Sequence, residues 1–379
     1  MPELRTVPTA GLSAAELVDL YAGALAGAYV LAPLPPDPVE QSAVRDLLTD
    51  PGPLPDDTAL VVSTSGSTGA PKAVLLSGRA IRAGAAATHE HLGGAGDWTL
   101  ALGAHYVAGA MVVCRAVLAG TRVHLAGSDL GDLPTSRPGT RSYLSVVPTQ
   151  LARVADDATT VDALGRFDAV LVGGAAIDPA LLAGWRSRGV RLVTTYGASE
   201  TCGGCVYDGR PLPGVRVRAV GGAGRLVIKS PTLFGGYLGR PDLTAEVLLD
   251  GGRTYLTGDR GAVAANGTVE VIGRLDDVII SGGLNIDLAL VEASCRAALG
   301  TTEVAALGVP DPLWGRRVVV VTTSPVGLAE LRDRLTGRLA RHALPRGLSH
   351  TEVLPHTSSG KIDRRTLLGA WDAMDKELV

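Results

Sequence analysis

The sequence predicts an α/β protein with a β-rich subdomain behind its main sheets and a small α+β unit at its end. Three observations carry that prediction. Between residues 58 and 195, short and continuously apolar strand-like segments alternate with helix-like ones, the mark of a sheet covered on both faces. From Val215 the pattern shortens to β segments at 215–220, 225–229 and 255–257, and Asn266-Gly267 between two apolar runs signals a hairpin. From 277 onward strand and helix patterns mix.

The elements follow in order. Residues 1–57 read as helical and Pro-rich by turns, with Ser13-Ala-Ala-Glu16 as a capping box and Asp50-Pro-Gly-Pro-Leu-Pro55 as the close of the stretch. Strands at 58–64 and 72–76 flank a Gly/Ser loop, and Ser77 caps a helix to about His91. Strand 98–102, apolar helix 107–118 and strands 122–125 and 143–147 come next. Pro148 opens a helix, and strand 168–172 runs into Gly173-Gly174-Ala175-Ala176. A helix at 178–188 and a strand at 191–195 complete the alternation. Ligands of such sheets collect at the carboxyl ends of strands, where Gly173-Gly174 and Tyr196-Gly197 fall. The last unit holds strands 277–280 and 318–322 and helices near 287–298 and 328–340.

The loop Ser63-Thr64-Ser65-Gly66-Ser67-Thr68-Gly69-Ala70-Pro71-Lys72 has the chemistry of a phosphate cradle. Its glycines allow close backbone approach, successive N–H groups form an anion nest, hydroxyls add donors and Lys72 adds charge. Spacing and strand–loop–strand flanks separate it from a Walker P-loop. A plain Gly/Ser hairpin tip is the competing reading.

At 379 residues with 46% hydrophobic content, the chain can build more than one domain. A net charge of −3 gives no electrostatic reason to expect nucleic acid or an anionic membrane as partner. The apolar run 17–32 contains Asp19, is too short for a bilayer and lacks a basic leader, so neither membrane insertion nor a secretory signal is expected. Cys202-Gly-Gly-Cys205 has no second CxxC or His pair to complete a zinc site, and a reducing cytoplasm with small pocket-wall thiols is the expected setting.

Five stretches, in order, resemble the adenylate-forming superfamily of acyl-CoA synthetases, adenylation domains and luciferase. They are the loop above, Tyr196-Gly-Ala-Ser-Glu-Thr201, Tyr255-Leu-Thr-Gly-Asp259, Gly273-Arg-Leu-Asp-Asp-Val-Ile-Ile-Ser-Gly-Gly283 and Pro355-His-Thr-Ser-Ser-Gly-Lys361-Ile-Asp-Arg364. The resemblance covers residues 58–379 and implies a shortened region before the loop. It implies a large N-terminal domain at 1–275, a hinge at Asp276 and a mobile C-terminal domain at 277–379. ATP, Mg²⁺ and coenzyme A are the implied cofactors. Ser63 to Lys72 would hold the β/γ-phosphates, Tyr196 would stack on adenine beside Gly197, and Gly173, Gly174 and Ala175 would let backbone approach the base. Glu200 would ligate Mg²⁺ and Thr201 would contact the α-phosphate. Asp259 and Arg274 would bind the ribose hydroxyls. Lys361 would supply positive charge to the adenylation transition state, and rotation about Asp276 would replace it with the face near Gly282 and Gly283 for thioester formation. In isolation Lys361 reads as a solvated surface lysine.

Within the superfamily, Gly103-Ala-His105-Tyr106-Val-Ala-Gly109 lacks the acid that binds an amino group, and Asp311-Pro-Leu-Trp314-Gly315 resembles the CoA-ligase subgroup. These stretches and Tyr196 to Cys202 look most like the o-succinylbenzoate–CoA ligases of menaquinone biosynthesis, in their short actinobacterial form. The resemblance implies a substrate wall of His105, Tyr106, Gly109, Ser199 and Cys202. His105 or Arg115 would meet the second carboxylate, with a snorkelling side chain the alternative for Arg115. His105 reads as pocket wall rather than general base, because a carboxylate nucleophile is already ionised at neutral pH. Another aryl- or acyl-CoA ligase, a carrier-protein-loading adenylation enzyme and a non-catalytic nucleotide-binding relative are the other readings. The sequence leaves the oligomeric state open, with a homodimer, the commonest assembly, as one reading.

Overall fold

The structure is a computed structural model that describes residues 3–49, 52–64, 71–135, 137–357 and 361–379. The chain divides into two compact units, one of residues 1–220, 226–257 and 262–270, the other of 221–225, 258–261 and 271–379.

The first unit is built on two sheets. A five-stranded sheet runs Leu4–Pro8, Val30–Leu34, Thr58–Thr64, Lys72–Ser77, Gly236–Tyr237. Its first three strands are parallel, and Thr58–Thr64 and Lys72–Ser77 form an antiparallel pair with Thr64 opposite Lys72. A seven-stranded sheet runs Arg210–Pro211, Gly203–Tyr207, Leu192–Ala198, Ala169–Val172, Arg141–Val146, Gly96–Leu100, Val123–Leu125. The last five are mutually parallel, so their carboxyl ends share one edge.

One apolar core joins both sheets through helices Ala14–Leu25, Gly78–Leu92 and Val107–Ala119, with Leu60, Leu76, Ile81, Met111, Trp98 and Tyr143 all fully enclosed. A second core beneath the seven-stranded sheet takes Leu151, Leu164 and Trp185 from helices Pro148–Arg153, Ala158–Leu164 and Pro179–Ser187. The five-stranded sheet has its other face covered by Val44 and Leu48, at the end of helix Pro38–Leu47. The expected α/β layering, covered on both faces, is therefore the observed one.

Local signals explain the helix starts. Ser13 Oγ accepts from the Glu16 amide at 3.3 Å while the Glu16 carboxylate accepts from the Ser13 amide at 2.7 Å. Ser77 Oγ accepts from the Ala80 amide at 3.1 Å, and Gly93 closes that helix in the left-handed region. The expected hairpin at Asn266-Gly267 also forms, with the Thr268 amide donating to Asn266 Oδ1 at 3.0 Å. It joins Thr254–Val263 to Val269–Arg274 in a small sheet with Arg216–Val220, Arg225–Lys229 and Leu248–Leu249.

Residues 1–57 depart from the sequence reading, since Leu4–Pro8 and Val30–Leu34 are strands. All of Val30–Leu34 is buried, so it carries no polar alternation and reads as the tail of an apolar helix.

In the second unit a hairpin of Val278–Ser281 and Leu284–Asp287 precedes a four-stranded sheet, Val304–Asp311, Gly315–Thr322, Gly347–His350, Lys376–Leu378. Helices Leu288–Leu299 and Leu328–Leu335 share one core with it, and Arg364–Ala370 packs Leu367 into another. The helix expected over 328–340 ends at Leu335, because Thr336 turns extended and Gly337 takes φ 80°. Among the described residues no helix is long and apolar enough to cross a membrane.

Candidate active site

The parallel strands of the seven-stranded sheet deliver three of the predicted stretches to one edge. Gly173 follows strand Ala169–Val172, Tyr196 and Gly197 end strand Leu192–Ala198, and His105 follows strand Gly96–Leu100. Gly173 sits against the next strand so closely that a Cβ would lie 2.1 Å from Thr195 Oγ1. Gly197 has the same constraint, with a Cβ 2.0 Å from the Gly203 carbonyl oxygen. Gly174 and Ala175 are exposed and Tyr196 is half-buried, leaving an accessible rim of small residues beside one aromatic ring.

Glu200 occupies a 3-10 turn, Ser199–Thr201, just past that edge. Its carboxylate is half-buried, and Oε1 accepts a hydrogen bond from the Tyr237 hydroxyl at 2.7 Å. The ammonium of Lys72 lies 5.0 Å from the centre of the Tyr237 ring. One aromatic side chain thus connects the phosphate-loop lysine to the predicted metal carboxylate. The Thr201 hydroxyl accepts from the Ala198 amide at 2.9 Å and lies 2.7 Å from the Gly203 carbonyl oxygen, so it locks the 198–203 turn. Ser63 and Thr64 end strand Thr58–Thr64, while Ser65, Gly66, Ser67, Thr68 and Gly69 lie outside the described residues.

No group of three His, Cys, Asp or Glu side chains arranged for a metal occurs among the described residues. Glu200 offers one oriented carboxylate. That fits Mg²⁺, which takes one or two carboxylates and fills its octahedron with phosphate oxygens and water.

The predicted substrate wall is mostly buried. His105 is 5% exposed, its ring packs on Tyr106 at 4.0 Å between centres, and Nε2 finds no hydrogen-bond partner among the described residues. Burial lowers its pKa to about 4, so the imidazole is neutral at neutral pH. Gly109, in the first turn of helix Val107–Ala119, lies hard against the preceding loop, where a Cβ would stand 2.2 Å from the Gly103 carbonyl oxygen. Ser199 is half-buried and Cys202 buried, and burial pushes the Cys202 thiol far up. All four cysteines are free.

Arg115 does not snorkel, and that alternative is overturned. The residue is 4% exposed, its guanidinium lies 5.0 Å from the Trp98 ring centre, and Nη2 donates to the Tyr207 hydroxyl at 3.4 Å. Nε has no partner. Among the described residues this buried cation meets an aromatic face and a long hydroxyl contact, which compensate a charge poorly.

The remaining predicted groups belong to the second unit. Arg274 Nη1 donates to Asp259 Oδ1 at 3.1 Å while Nη2 and Nε hold Asp276. Lys361 stands within electrostatic reach of both Arg274 and Asp259. The residue is exposed, and burial of its ammonium, with the Arg274 charge second, draws its pKa below the usual lysine value. Its backbone carbonyl accepts from the Thr357 amide at 2.7 Å. Arg364, next along, donates to Glu292 at 2.7 Å, and Glu292 is 4% exposed. Gly282 lies against the Trp314 ring, with a Cβ position 2.5 Å from Cε3, and Gly283 takes φ 80° with open space around it.

Sequence reasoning missed Tyr237 and Glu292. Each bonds a motif residue remote in sequence, Tyr237 to Glu200 and Glu292 to Arg364, and neither lies in a motif itself.

Comparison with known proteins gives the family. Residues 23–238 match the AMP-binding enzyme family and residues 291–361 its C-terminal domain. A probable 2-succinylbenzoate–CoA ligase of Mycobacterium tuberculosis is 39% identical over 327 residues, covering 83% of this chain and 84% of that protein. A feruloyl-CoA synthase of Amycolatopsis is 33% identical over 344 residues, covering 81% and 68%. The solved o-succinylbenzoate CoA synthetase of Bacillus subtilis, in complex with its acyl-adenylate, superposes with a TM-score of 0.73 at 23% identity, covering 96% of this chain and 82% of that one. The chain belongs to the AMP-binding, or adenylate-forming, enzyme family.

Proposed function

We propose that the protein is an ATP-dependent acid–CoA ligase that converts o-succinylbenzoate to its CoA thioester, a step of menaquinone biosynthesis. The observation that carries the reading is the Arg274 Nη1 to Asp259 Oδ1 hydrogen bond at 3.1 Å, with Lys361 close enough to both for their charges to act on its ammonium. In the first half-reaction a carboxylate oxygen bonds to the α-phosphorus of ATP and the bond to pyrophosphate breaks. In the second, the CoA sulfur bonds to the acyl carbon and AMP leaves.

Each residue role follows from its chemistry. Tyr196 offers an aromatic face to adenine, and Gly173, Gly174, Ala175 and Gly197 leave room beside it. Asp259 accepts from the ribose hydroxyls and Arg274 donates there. Lys361 meets the negative charge that gathers as two anions join. Lys72 and the hydroxyls from Ser63 onward hold the leaving pyrophosphate. Glu200 would hold Mg²⁺, which when bound neutralises phosphate charge. The Thr201 hydroxyl shapes the turn that carries Glu200. Gly282 and Gly283 would line the thiol approach after rotation about Asp276, with domains at 1–275 and 277–379. His105, Tyr106, Gly109, Ser199 and Cys202 would wall the acid, and Arg115 would meet its second carboxylate. Its ATP, acid and CoA are substrates of the cytoplasm, and a homodimer is the assembly we infer.

The test is a panel of carboxylic acids with ATP, Mg²⁺ and CoA, scored by product mass. Preference for o-succinylbenzoate, with AMP, pyrophosphate and acyl-CoA formed in equal amounts, is the expected result. Preference for a cinnamate-type acid moves the substrate to another aryl-CoA ligase class. Adenylate with no thioester to CoA, but with transfer to a carrier protein, overturns the ligase reading.

A further inference from the structure

Tyr237 lies in none of the motifs read from the sequence, yet it joins two groups that those motifs supply. It comes from a two-residue strand, Gly236–Tyr237, at the edge of the five-stranded sheet. Tyr237 pairs with Val74 there, so Lys72 is its diagonal neighbour on the same face. That diagonal places the Lys72 ammonium over the ring, 5.0 Å from its centre. The ring is buried, packs against Phe234 at 5.0 Å between centres, and its hydroxyl donates to Glu200 Oε1 at 2.7 Å. The backbone repeats the link, because the Phe234 amide donates to the Glu200 carbonyl at 2.9 Å. The Tyr237 amide is itself tied to Thr244 Oγ1 at 2.9 Å.

We propose that Tyr237 is a positioning residue for the phosphate side of the reaction. Its hydroxyl fixes the Glu200 carboxylate in the orientation that receives Mg²⁺. Its ring seats the Lys72 ammonium at the phosphates. The proposal rests on the ligase reading for the roles of Glu200 and Lys72. The two contacts are separable, because phenylalanine removes the hydroxyl and keeps the ring, whereas leucine removes both.

The experiment measures binding of a non-hydrolysable ATP analogue to the full chain by calorimetry, across a Mg²⁺ titration and with metal chelated. Tyr237→Phe is expected to raise the Mg²⁺ midpoint about tenfold, the scale of one hydrogen bond to a charged group, and to leave metal-free affinity unchanged. Tyr237→Leu is expected to raise the midpoint equally and also to weaken metal-free binding roughly threefold, through loss of the cation–π seat. Should Tyr237→Leu fail to fold, Tyr237→Phe decides the point alone. A native midpoint in Tyr237→Phe overturns the proposal, and a lowered melting temperature beside that native midpoint returns the residue to packing. Both readouts are binding, so failure to turn over any acid counts against the ligase reading and not against this one.

Discussion

Arg274 Nη1 donates to Asp259 Oδ1 at 3.1 Å, and the other edge of the same guanidinium holds Asp276 with contacts of 2.9 to 3.3 Å. The side chain read as a ribose donor therefore also grips the residue read as the hinge. In the proposed roles, nucleotide binding and hinge geometry share one planar group. Lysine offers a point charge and cannot hold two carboxylates from a rigid fork. Arg274→Lys is therefore expected to raise the KM for ATP roughly tenfold, about the effect of one charged hydrogen bond. Steady-state kinetics at saturating acid check it, and a native KM would remove Arg274 from the ribose site.

Arg115 carries the substrate prediction. A guanidinium enclosed between Trp98 and Tyr207 gains most if an anion reaches it. Arg115→Met keeps much of the volume and removes the charge. The expected result is a KM for o-succinylbenzoate raised by about tenfold or more, the scale of a lost charged hydrogen bond, with the KM for ATP unchanged. Unchanged KM for both, with a shifted melting temperature, would assign Arg115 to packing over Trp98.

Acid should destabilise the first unit through two histidines. Burial lowers the pKa of His105 to about 4, and burial with the Arg115 charge lowers that of His89 to about 4. Both folded-state values lie below the unfolded value near 6.5. The unfolded chain thus takes up protons first as pH falls, and stability is full above about 6.5 and declines toward 4. His105 alone accounts for roughly 3 kcal/mol across that window. Denaturant melts of His105→Gln between pH 7 and 4.5 should show a shallower decline than the native chain, and an identical slope would contradict the buried neutral imidazole.

The sequence exposed most of the fold because its strands and helix caps are local features. Ser13 with Glu16, Ser77 and Asn266-Gly267 each work within a few residues, and each forms as read. Val30–Leu34 and Gly236–Tyr237 were illegible because long-range pairing makes them strands, not propensity. The site divides the same way. Lys361, Asp259 and Glu200 stand in recognisable motifs. Tyr237 and Glu292 act by touching motif residues across the fold, and no spacing announces a contact of that kind. Arg115 was visible as a charge in an apolar helix, but only the structure shows it enclosed.

The central claim is that Lys361 serves adenylation and not thioester formation. Its lowered pKa means that the ammonium is lost at a lower pH than that of an ordinary lysine, so adenylation should fall on the alkaline side while transfer from a supplied adenylate does not. The most direct measurement is the pair of half-reaction rates in Lys361→Ala, namely pyrophosphate release with o-succinylbenzoate and ATP, and CoA thioester formation from pre-made o-succinylbenzoyl-AMP. The account predicts adenylation reduced at least a hundredfold, the order of effect of removing one transition-state charge contact, with thioester formation within a few-fold of native. Equal loss in both half-reactions would contradict it.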